Sequence, residues 1–162
     1  MPINGFLDVP DIKGESKAVG HKDEIDIYGL SWGVSAGSGA AAGAGRRRVR
    51  ANVHDLTVLK SYDVASPFLT LATLRGQVFD EIVLTVRKNG GEAPLDYLMI
   101  TMTNCVLTDY QMENGGLDDP LELISEAVDI AFEDVRIRYV PQADDGSAGA
   151  EHEVEFDIVS GV

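Results

Sequence analysis

The chain has little cysteine: Cys105 is the one thiol among 162 residues. A single thiol cannot form an intrachain disulfide, which excludes the class of small secreted domains that disulfides hold together. The length is that of one domain, and 44% hydrophobic residues are enough for a sizeable core. We therefore expect residues 1–162 to form a single domain in which Cys105, from an apolar stretch, is a small buried hydrophobic residue.

Basic residues are also scarce, at 13 Lys and Arg against 27 Asp and Glu, for a formal net charge of −14. Proteins that bind nucleic acid or anionic membranes present a basic surface to the phosphates. The net charge here has the opposite sign, so we expect no nucleic-acid partner and no membrane partner. An excess of acid favours solubility and discourages nonspecific association.

The sequence shows neither a signal-peptide pattern nor a membrane-spanning run. The first residues include no basic segment and no long apolar segment. Residues 27–45 are uncharged, but nine of these 19 residues are Gly or Ser. A spanning helix needs about 20 predominantly apolar residues, so we expect this stretch to be a strand that runs into a flexible loop.

The dominant hydrophobic period is two, which predicts β-strands. Residues 81–88, 95–112 and 153–158 alternate in this way, and we expect the acids of the last segment to face water and its apolar residues to face the core. In segments 25–34 and 128–139 the apolar residues switch midway from one face of the strand to the other. We expect a β-bulge in each segment, because one inserted residue returns the apolar face to the core. Long, curled strands predict an all-β fold, a compact β-barrel or two packed antiparallel sheets.

One short α-helix is predicted at about 66–75. Ser66 is a favoured N-cap, Pro67 suits the first helical position, and Gly76 can end the helix. Spacing at i, i+3, i+4 and i+7 places one set of residues on a common face: Phe68, Leu71, Ala72 and Arg75. We expect that face to dock on the sheet.

Two motifs have the form of catalytic or cofactor-binding sequences. Residues 33–37 satisfy G-x-S-x-G, but a nucleophile elbow needs a helix after the turn and an α/β pattern around it. Residues 37–42 satisfy the loose G-x-G-x-x-A dinucleotide fingerprint, but an Arg-rich strand follows where the fingerprint needs a helix. The first motif is better explained as small residues at the end of a strand, and the second as a lone match in a glycine-rich loop.

The histidines give no indication of a metal site, because His21, His54 and His152 lack the spacing typical of ligands. Surface exposure or ordinary hydrogen bonding explains each of them. We expect no catalytic residue, no bound cofactor and no metal, and we expect that the chain is not an enzyme.

Five ordered groups of residues resemble one known family. The groups are residues 6–9 with the I-x-G-E-S turn at 12–16, residues 21–27 with 31–33, residues 55–57 with Lys60, Asp63, Ser66, Pro67 and Leu69, residues 86–88 with Gly91, Tyr97 and Leu98, and residues 139–142. Their order and spacing resemble the Hcp family (haemolysin-coregulated protein), the tube proteins of the bacterial type VI secretion system. The resemblance covers nearly the whole chain.

The resemblance implies a structural subunit of the type VI inner tube. Such subunits form homo-hexameric rings that stack inside a contractile sheath, beneath a VgrG-type spike, and that carry effector proteins or are exported with them. The implied location is the bacterial cytoplasm before export, and afterwards the exterior, without a signal peptide. A phage-like tail-tube protein is the alternative within the same class, and a small-ligand-binding β-barrel is the alternative outside it.

A face of small residues is a candidate lining for the channel of such a tube: Gly29, Ser31, Gly33 and Ser35. In a strand, these four lie opposite Leu30, Trp32 and Val34, which belong to a core-facing side. A face of only Gly and Ser is either a site of close backbone packing or a smooth solvated wall, and a cargo channel requires the second.

The stretch 36–45 is low in complexity and has no side chain larger than a methyl or a hydroxyl, so it cannot bury enough apolar area to order itself. In a strand, Arg46, Arg48 and Arg50, which follow, share one face. This row of charge either discourages edge pairing or docks on acidic groups of a neighbouring copy. The ring-stacking candidates are Ala36, Gly37, Ser38, Gly39, Ala40, Ala41, Ala42, Gly43, Ala44, Gly45, Arg46, Arg48 and Arg50.

Overall fold

A computed structural model describes residues 3–36, 51–88, 93–114 and 123–162. Within them the chain forms eleven strands and one helix, which confirms the prediction of an all-β fold with one short helix. The elements are β1 (Asn4–Asp8), β2 (Ile25–Ile27), β3 (Gly29–Ser31), β4 (Val34–Ala36), β5 (Ala51–Val53), β6 (Leu56–Ser61), α1 (Ser66–Arg75), β7 (Val78–Lys88), β8 (Leu95–Asn114), β9 (Ile124–Ala131), β10 (Asp134–Tyr139) and β11 (His152–Asp157).

Nine strands form one antiparallel sheet, in which β2-β1-β7-β8-β9-β6-β3 are consecutive neighbours and β10, paired with β11, branches from β8. The two ends of this order meet at Tyr28, between β2 and β3. The Tyr28 N–H donates to the carbonyl of Leu59 at 2.9 Å, and the Tyr28 carbonyl accepts from the Ile3 N–H at 2.8 Å. The sheet therefore closes on itself as a barrel, and β4 and β5 form a separate two-stranded sheet.

The two segments that change parity do so at the boundary between separate strands, so the prediction of a bulge in each is wrong. The first segment divides at Tyr28: β2 pairs with β1, whereas β3 pairs with β6. The second divides at Phe132 and Glu133: β9 pairs with β6 and β8, whereas β10 pairs with β8 and β11. Each half has its own neighbours and packs apolar residues on the core, but Val34 and Tyr139, at the ends of the two segments, are 61% and 41% exposed.

Strand β8 has 20 residues and links the two halves of the fold. Its first half lies between β7 and β10, and its second half, from Val106, pairs with β9. The core lies inside this curved sheet and includes Ile82, Met102 and Cys105, none of which is exposed. Cys105 is thus a buried hydrophobic residue, as predicted, and burial raises the pKa of its thiol to about 11.

Helix α1 has the predicted bounds but not the predicted cap, and of the predicted docking face only Ala72 is buried. Ala65 is the N-cap, so Ser66 lies in the first turn. At the other end Gly76 has φ 61°, and the N–H of Gln77 donates to the carbonyl of Ala72, as in a Schellman motif. The buried residues of the helix are Ser66, Leu69 and Ala72.

Phe68 and Leu71, which were expected to dock, are 58% and 41% exposed. The helix carries apolar residues on two sides, and spacing alone does not say which side meets the barrel. Among the described residues, no helix is long and apolar enough to cross a membrane.

Candidate interaction surfaces

The four residues of the predicted channel lining lie beside two neighbouring strands. Gly29 faces Leu59 of β6, where an added Cβ would come within 3.0 Å of the leucine Cδ1. Gly33 lies against His54, where an added Cβ would come within 3.5 Å of the imidazole. Ser31 and Ser35 are exposed. The two glycines thus permit close packing, while the two serines present hydroxyls to solvent.

Trp32 anchors this region to the barrel. Its indole N–H donates to the carbonyl of His54 at 2.9 Å, and its ring tilts against Phe132 with centroids 6.2 Å apart. Leu30 and Trp32 pack on the core as predicted, but Val34 is 61% exposed. The apolar side of this segment therefore emerges from the core at β4.

Ser35, the serine of the G-x-S-x-G motif, lies near a histidine. Its Oγ is 3.5 Å from Nε2 of His54, which is at the limit of a hydrogen bond. The Asp55 carboxylate accepts a hydrogen bond from Thr108 at 2.6 Å, and no hydrogen bond among the described residues joins it to this imidazole. Ser35 also lies within β4, opposite Asn52, and not at a sharp turn. This is not the geometry of a nucleophile elbow.

Of the ring-stacking candidates, Ala36 ends β4 and is exposed. Residues 37–45, together with Arg46, Arg48 and Arg50, lie outside the described residues. Their assignment stays a prediction.

An open apolar cleft lies between the β4–β5 hairpin and the β10–β11 pair, with a volume of about 360 Å³. Its lining residues are Trp32, Val34, Ala51, Val53, Val135, Ile137, Val154, Glu155 and Phe156. The predicted half-burial of the last strand is confirmed for Phe156, which packs on the core, and is wrong for Val154, which is 65% exposed. We call this surface the apolar cleft.

A second uncovered apolar surface lies on α1. Phe68, Leu71 and Leu74 share its outer side and are 58%, 41% and 79% exposed. Arg75 is exposed beside them and forms no ion pair with any residue that the structure describes. We call Phe68, Leu71, Leu74 and Arg75 the α1 ridge.

The rim of the apolar cleft is acidic. Arg136 of β10 faces Glu153 at 3.4 Å and Glu155 at 3.6 Å, with all three side chains about half exposed. Burial, together with the charges of Glu155 and Asp157, raises the pKa of Asp134. Along this edge five acidic residues accompany two arginines: Asp134, Glu151, Glu153, Glu155 and Asp157 against Arg136 and Arg138. The edge therefore favours a binding partner with a basic surface.

A buried network, which was not predicted, joins the helix to the barrel. The Lys60 ammonium donates to Glu126 at 2.6 Å, and to Asp63 and Ser66 at 3.0 Å each. Glu126 also accepts from Ser66 and from the hydroxyl of Tyr110. Burial, together with the hydrogen bond to Glu126, raises the pKa of Tyr110 to about 12. Buried charges that are paired and hydrogen-bonded in this way orient the elements that carry them.

A second network surrounds His21, which is 7% exposed. Its ring nitrogens lie 2.9 Å from Glu24 and 2.8 Å from Asp96, and the ring stacks on Phe6. Asp96 also accepts from Arg87 at 2.6 Å. His21 is therefore an ordinary hydrogen-bonded residue, as expected. Within the described parts of the chain, no three His, Cys, Asp or Glu side chains are arranged to hold a metal ion.

Comparison with known proteins gives the family. The sequence profile described as "Type VI secretion system effector, Hcp" matches residues 6–139. Protein hcp1 of Pseudomonas aeruginosa is 35% identical over 147 residues, which cover 91% of this chain and 89% of that protein. The chain belongs to the Hcp family.

Solved structures agree with this assignment. Hcp1 from Salmonella typhimurium superposes with a TM-score of 0.80 at 27% identity, over 99% of this chain and 98% of that one. A type VI secretion system effector from Yersinia pestis gives 0.74 at 27% identity, over 95% and 99%. A type six secretion system protein at 24% identity, with a TM-score of 0.90 over 99% and 98%, shows the same fold.

The resemblance to the Hcp family is thus confirmed over most of the chain. The Hcp family is a secreted, structural component of type VI secretion systems and is not known as an enzyme family. Membership implies that the type VI system secretes this protein.

Proposed function

We propose that this protein is the structural subunit of a type VI inner tube, in which homo-hexameric rings stack and carry effector proteins or are exported with them. The observation that carries the proposal is that a member of the Hcp family leaves two apolar surfaces, the α1 ridge and the apolar cleft, open to solvent. Monomeric soluble proteins rarely expose large contiguous apolar patches, and such patches mark interaction sites.

The partners follow from this role. The tube would lie inside a contractile sheath and beneath a VgrG-type spike, and the subunit would be in the bacterial cytoplasm before export. The alternative of a small-ligand-binding barrel requires a hollow interior. Here buried side chains from most of the barrel strands pack into one core, which favours a structural role.

Native mass spectrometry with light scattering tests ring formation. We expect a hexamer whose assembly weakens at low salt, because six chains of net charge −14 repel one another more when screening is reduced. A monomer at every salt and protein concentration would contradict the proposal.

We also propose that the small-residue face lines the channel of the tube. Support comes from Ser31 and Ser35, which are exposed and present only small hydroxyl side chains. Ser31→Gln should leave rings intact while reducing the retention of a co-purified effector. Ser160→Gln, the same change at an exposed serine of the C-terminal turn, is the control. Equal retention by both variants would place the channel lining elsewhere.

We propose in addition that the stretch 36–45, assisted by Arg46, Arg48 and Arg50, connects stacked rings. Ten residues reach roughly 30 Å when extended, and arginine forms strong charge-assisted hydrogen bonds with carboxylates. Shortening the stretch to a few glycines should preserve single rings and abolish tubes in electron micrographs. Unchanged tubes and unchanged secretion would show instead that the stretch is an idle solvated loop.

A further inference from the structure

The outer side of α1 is apolar, and no described part of the chain packs against it. The inner side is buried through Leu69 and Ala72. Leu74 on the outer side is 79% exposed, although a helix that is apolar on all sides is normally buried on all sides. No described part of the same chain covers this side, so the sequence of α1 fits an environment that the single subunit does not supply.

The apolar cleft also exposes apolar side chains that no described part of the chain covers. Strand β11 alternates acidic and apolar residues, a pattern that normally places the apolar face against a core. Val154 of β11 and Val34 of β4 are nevertheless 65% and 61% exposed across the cleft. The concave surface between them is therefore a second place where apolar residues lack a partner.

We propose that the α1 ridge of one subunit inserts into the apolar cleft of the next subunit. This proposal rests on the proposed ring-forming function and names the two surfaces that meet. A cavity of about 150 Å³ holds a benzene molecule, so a cleft of about 360 Å³ has room for two side chains such as Phe68 and Leu74. The fit joins a convex apolar surface to a concave one.

Charge complementarity supports a second copy as the occupant. Arg75 lies at the end of the α1 ridge without an ion-pair partner among the described residues. Glu155 lies at the rim of the cleft, where it shares the single guanidinium of Arg136 with Glu153, so the rim can accept a further positive charge. Chains of net charge −14 repel one another, so association needs a contact that is apolar at its centre and carries opposite charges at its edge.

The two surfaces lie apart on one subunit. Helix α1 lies near the second half of β8, where Ser66 of the helix and Tyr110 of the strand both donate hydrogen bonds to Glu126. The cleft lies by the first half of β8, where Ile137 opposes Ile100. These two positions of β8 are ten residues apart, about 33 Å of extended strand. A contact between different surfaces of identical chains is head-to-tail, and rotation closes it into a ring.

Two variants and their mixture test the contact. Leu74→Glu places a charge on the ridge, and Val154→Glu places one in the cleft. Each variant alone should be a monomer at a concentration at which the native protein and the control Val19→Glu, a substitution at an 85% exposed valine, both form rings. An equimolar mixture should give dimers and nothing larger, because each mixed pair has one intact ridge and one intact cleft.

The outcomes separate this proposal from the proposed function. If both variants form native rings, or if the mixture stays monomeric, the ridge and the cleft do not meet, while ring formation itself stands. If the native protein never assembles, the proposed ring-forming function itself is contradicted, whichever surfaces were mutated. Circular dichroism melting curves identify any variant that does not fold.

Disulfide crosslinking gives a second measurement that needs no disruptive charge. Oxidation of the double variant Leu74→Cys/Val154→Cys should yield a ladder of covalent oligomers, whereas each single-cysteine variant should not. Cys105 does not interfere, because it is fully buried. The absence of a ladder from assembled rings would overturn the proposal.

Discussion

The Lys60 ammonium lies 2.6 Å from a carboxylate oxygen of Glu126, and neither side chain is exposed to solvent. The two residues face each other across the β6–β9 pair. Ser66 of α1 hydrogen-bonds to both of them, at 3.0 Å and 2.6 Å. The pair therefore fixes the start of the helix against two strands of the barrel.

Removal of the Lys60 charge should strongly destabilise the fold. Lys60→Met leaves the Glu126 carboxylate buried without its counterion, which typically costs about 3–5 kcal/mol. The double variant Lys60→Met/Glu126→Gln should be more stable than Lys60→Met, because a neutral amide can still hydrogen-bond to Ser66 and Tyr110. Urea unfolding at pH 7 measures both, with the exposed Lys17→Met as control. A double variant less stable than the single variant would contradict this account.

This pair could have been predicted from the sequence. Lys60 continues the apolar parity of Leu56 and Val58, and Glu126 has the same parity as Val128 and Ile130. Opposite charges at core-facing positions of two strands indicate that the strands are neighbours. The barrel class and the bounds of α1 were likewise predictable, since both depend on local periodicity and on turn residues.

Other features were not predictable, because they depend on contacts between distant parts of the chain. The docking side of α1 is one, since both of its sides are apolar and only the barrel selects Leu69 over Phe68. The division of a strand at Tyr28 is another, since it depends on which neighbour each half pairs with. Among the candidate surfaces, the apolar cleft requires β4, β5, β10 and β11 to be brought together.

Gly14 should not tolerate a side chain. A Cβ at this position would lie 2.6 Å from the Ile25 Cα and even closer to the carbonyl of Glu24. The segment cannot move away freely, since the Gly14 N–H donates to the carbonyl of Asp23 at 2.8 Å. Gly14→Ala should cost about 1–3 kcal/mol, the usual cost of overpacking. Gly33→Ala, with its nearest contact at 3.5 Å, is the matched control and should change the free energy of unfolding little.

Acid should weaken the network around Asp96. Burial by itself raises the pKa of Asp96, but the hydrogen bonds from Arg87 and His21 outweigh it and hold this pKa below its ordinary value. A lowered pKa in the folded state means that the carboxylate contributes stability above its ordinary pKa of about 4, and that this stability is lost as the pH falls below it.

Asp96→Asn should therefore be less stable than the native protein at pH 6, and the difference should shrink below about pH 4. Urea unfolding at several pH values measures this, with the exposed Asp144→Asn as control. A difference that stays constant from pH 6 to pH 2.5 would show that the carboxylate charge contributes nothing.

The Cys105 thiol should react only when the protein unfolds. Its side chain is fully buried, and burial raises its pKa to about 11, so little thiolate is present at pH 8. Because the thiolate is the reactive form, a disulfide reagent should label Cys105 at least about 100-fold more slowly than an exposed thiol. The comparison thiol is Val19→Cys in a Cys105→Ala background, since Val19 is 85% exposed. The labelling rate of Cys105 should then rise with urea in parallel with global unfolding. Fast labelling in the absence of urea would show that the barrel opens locally at β8.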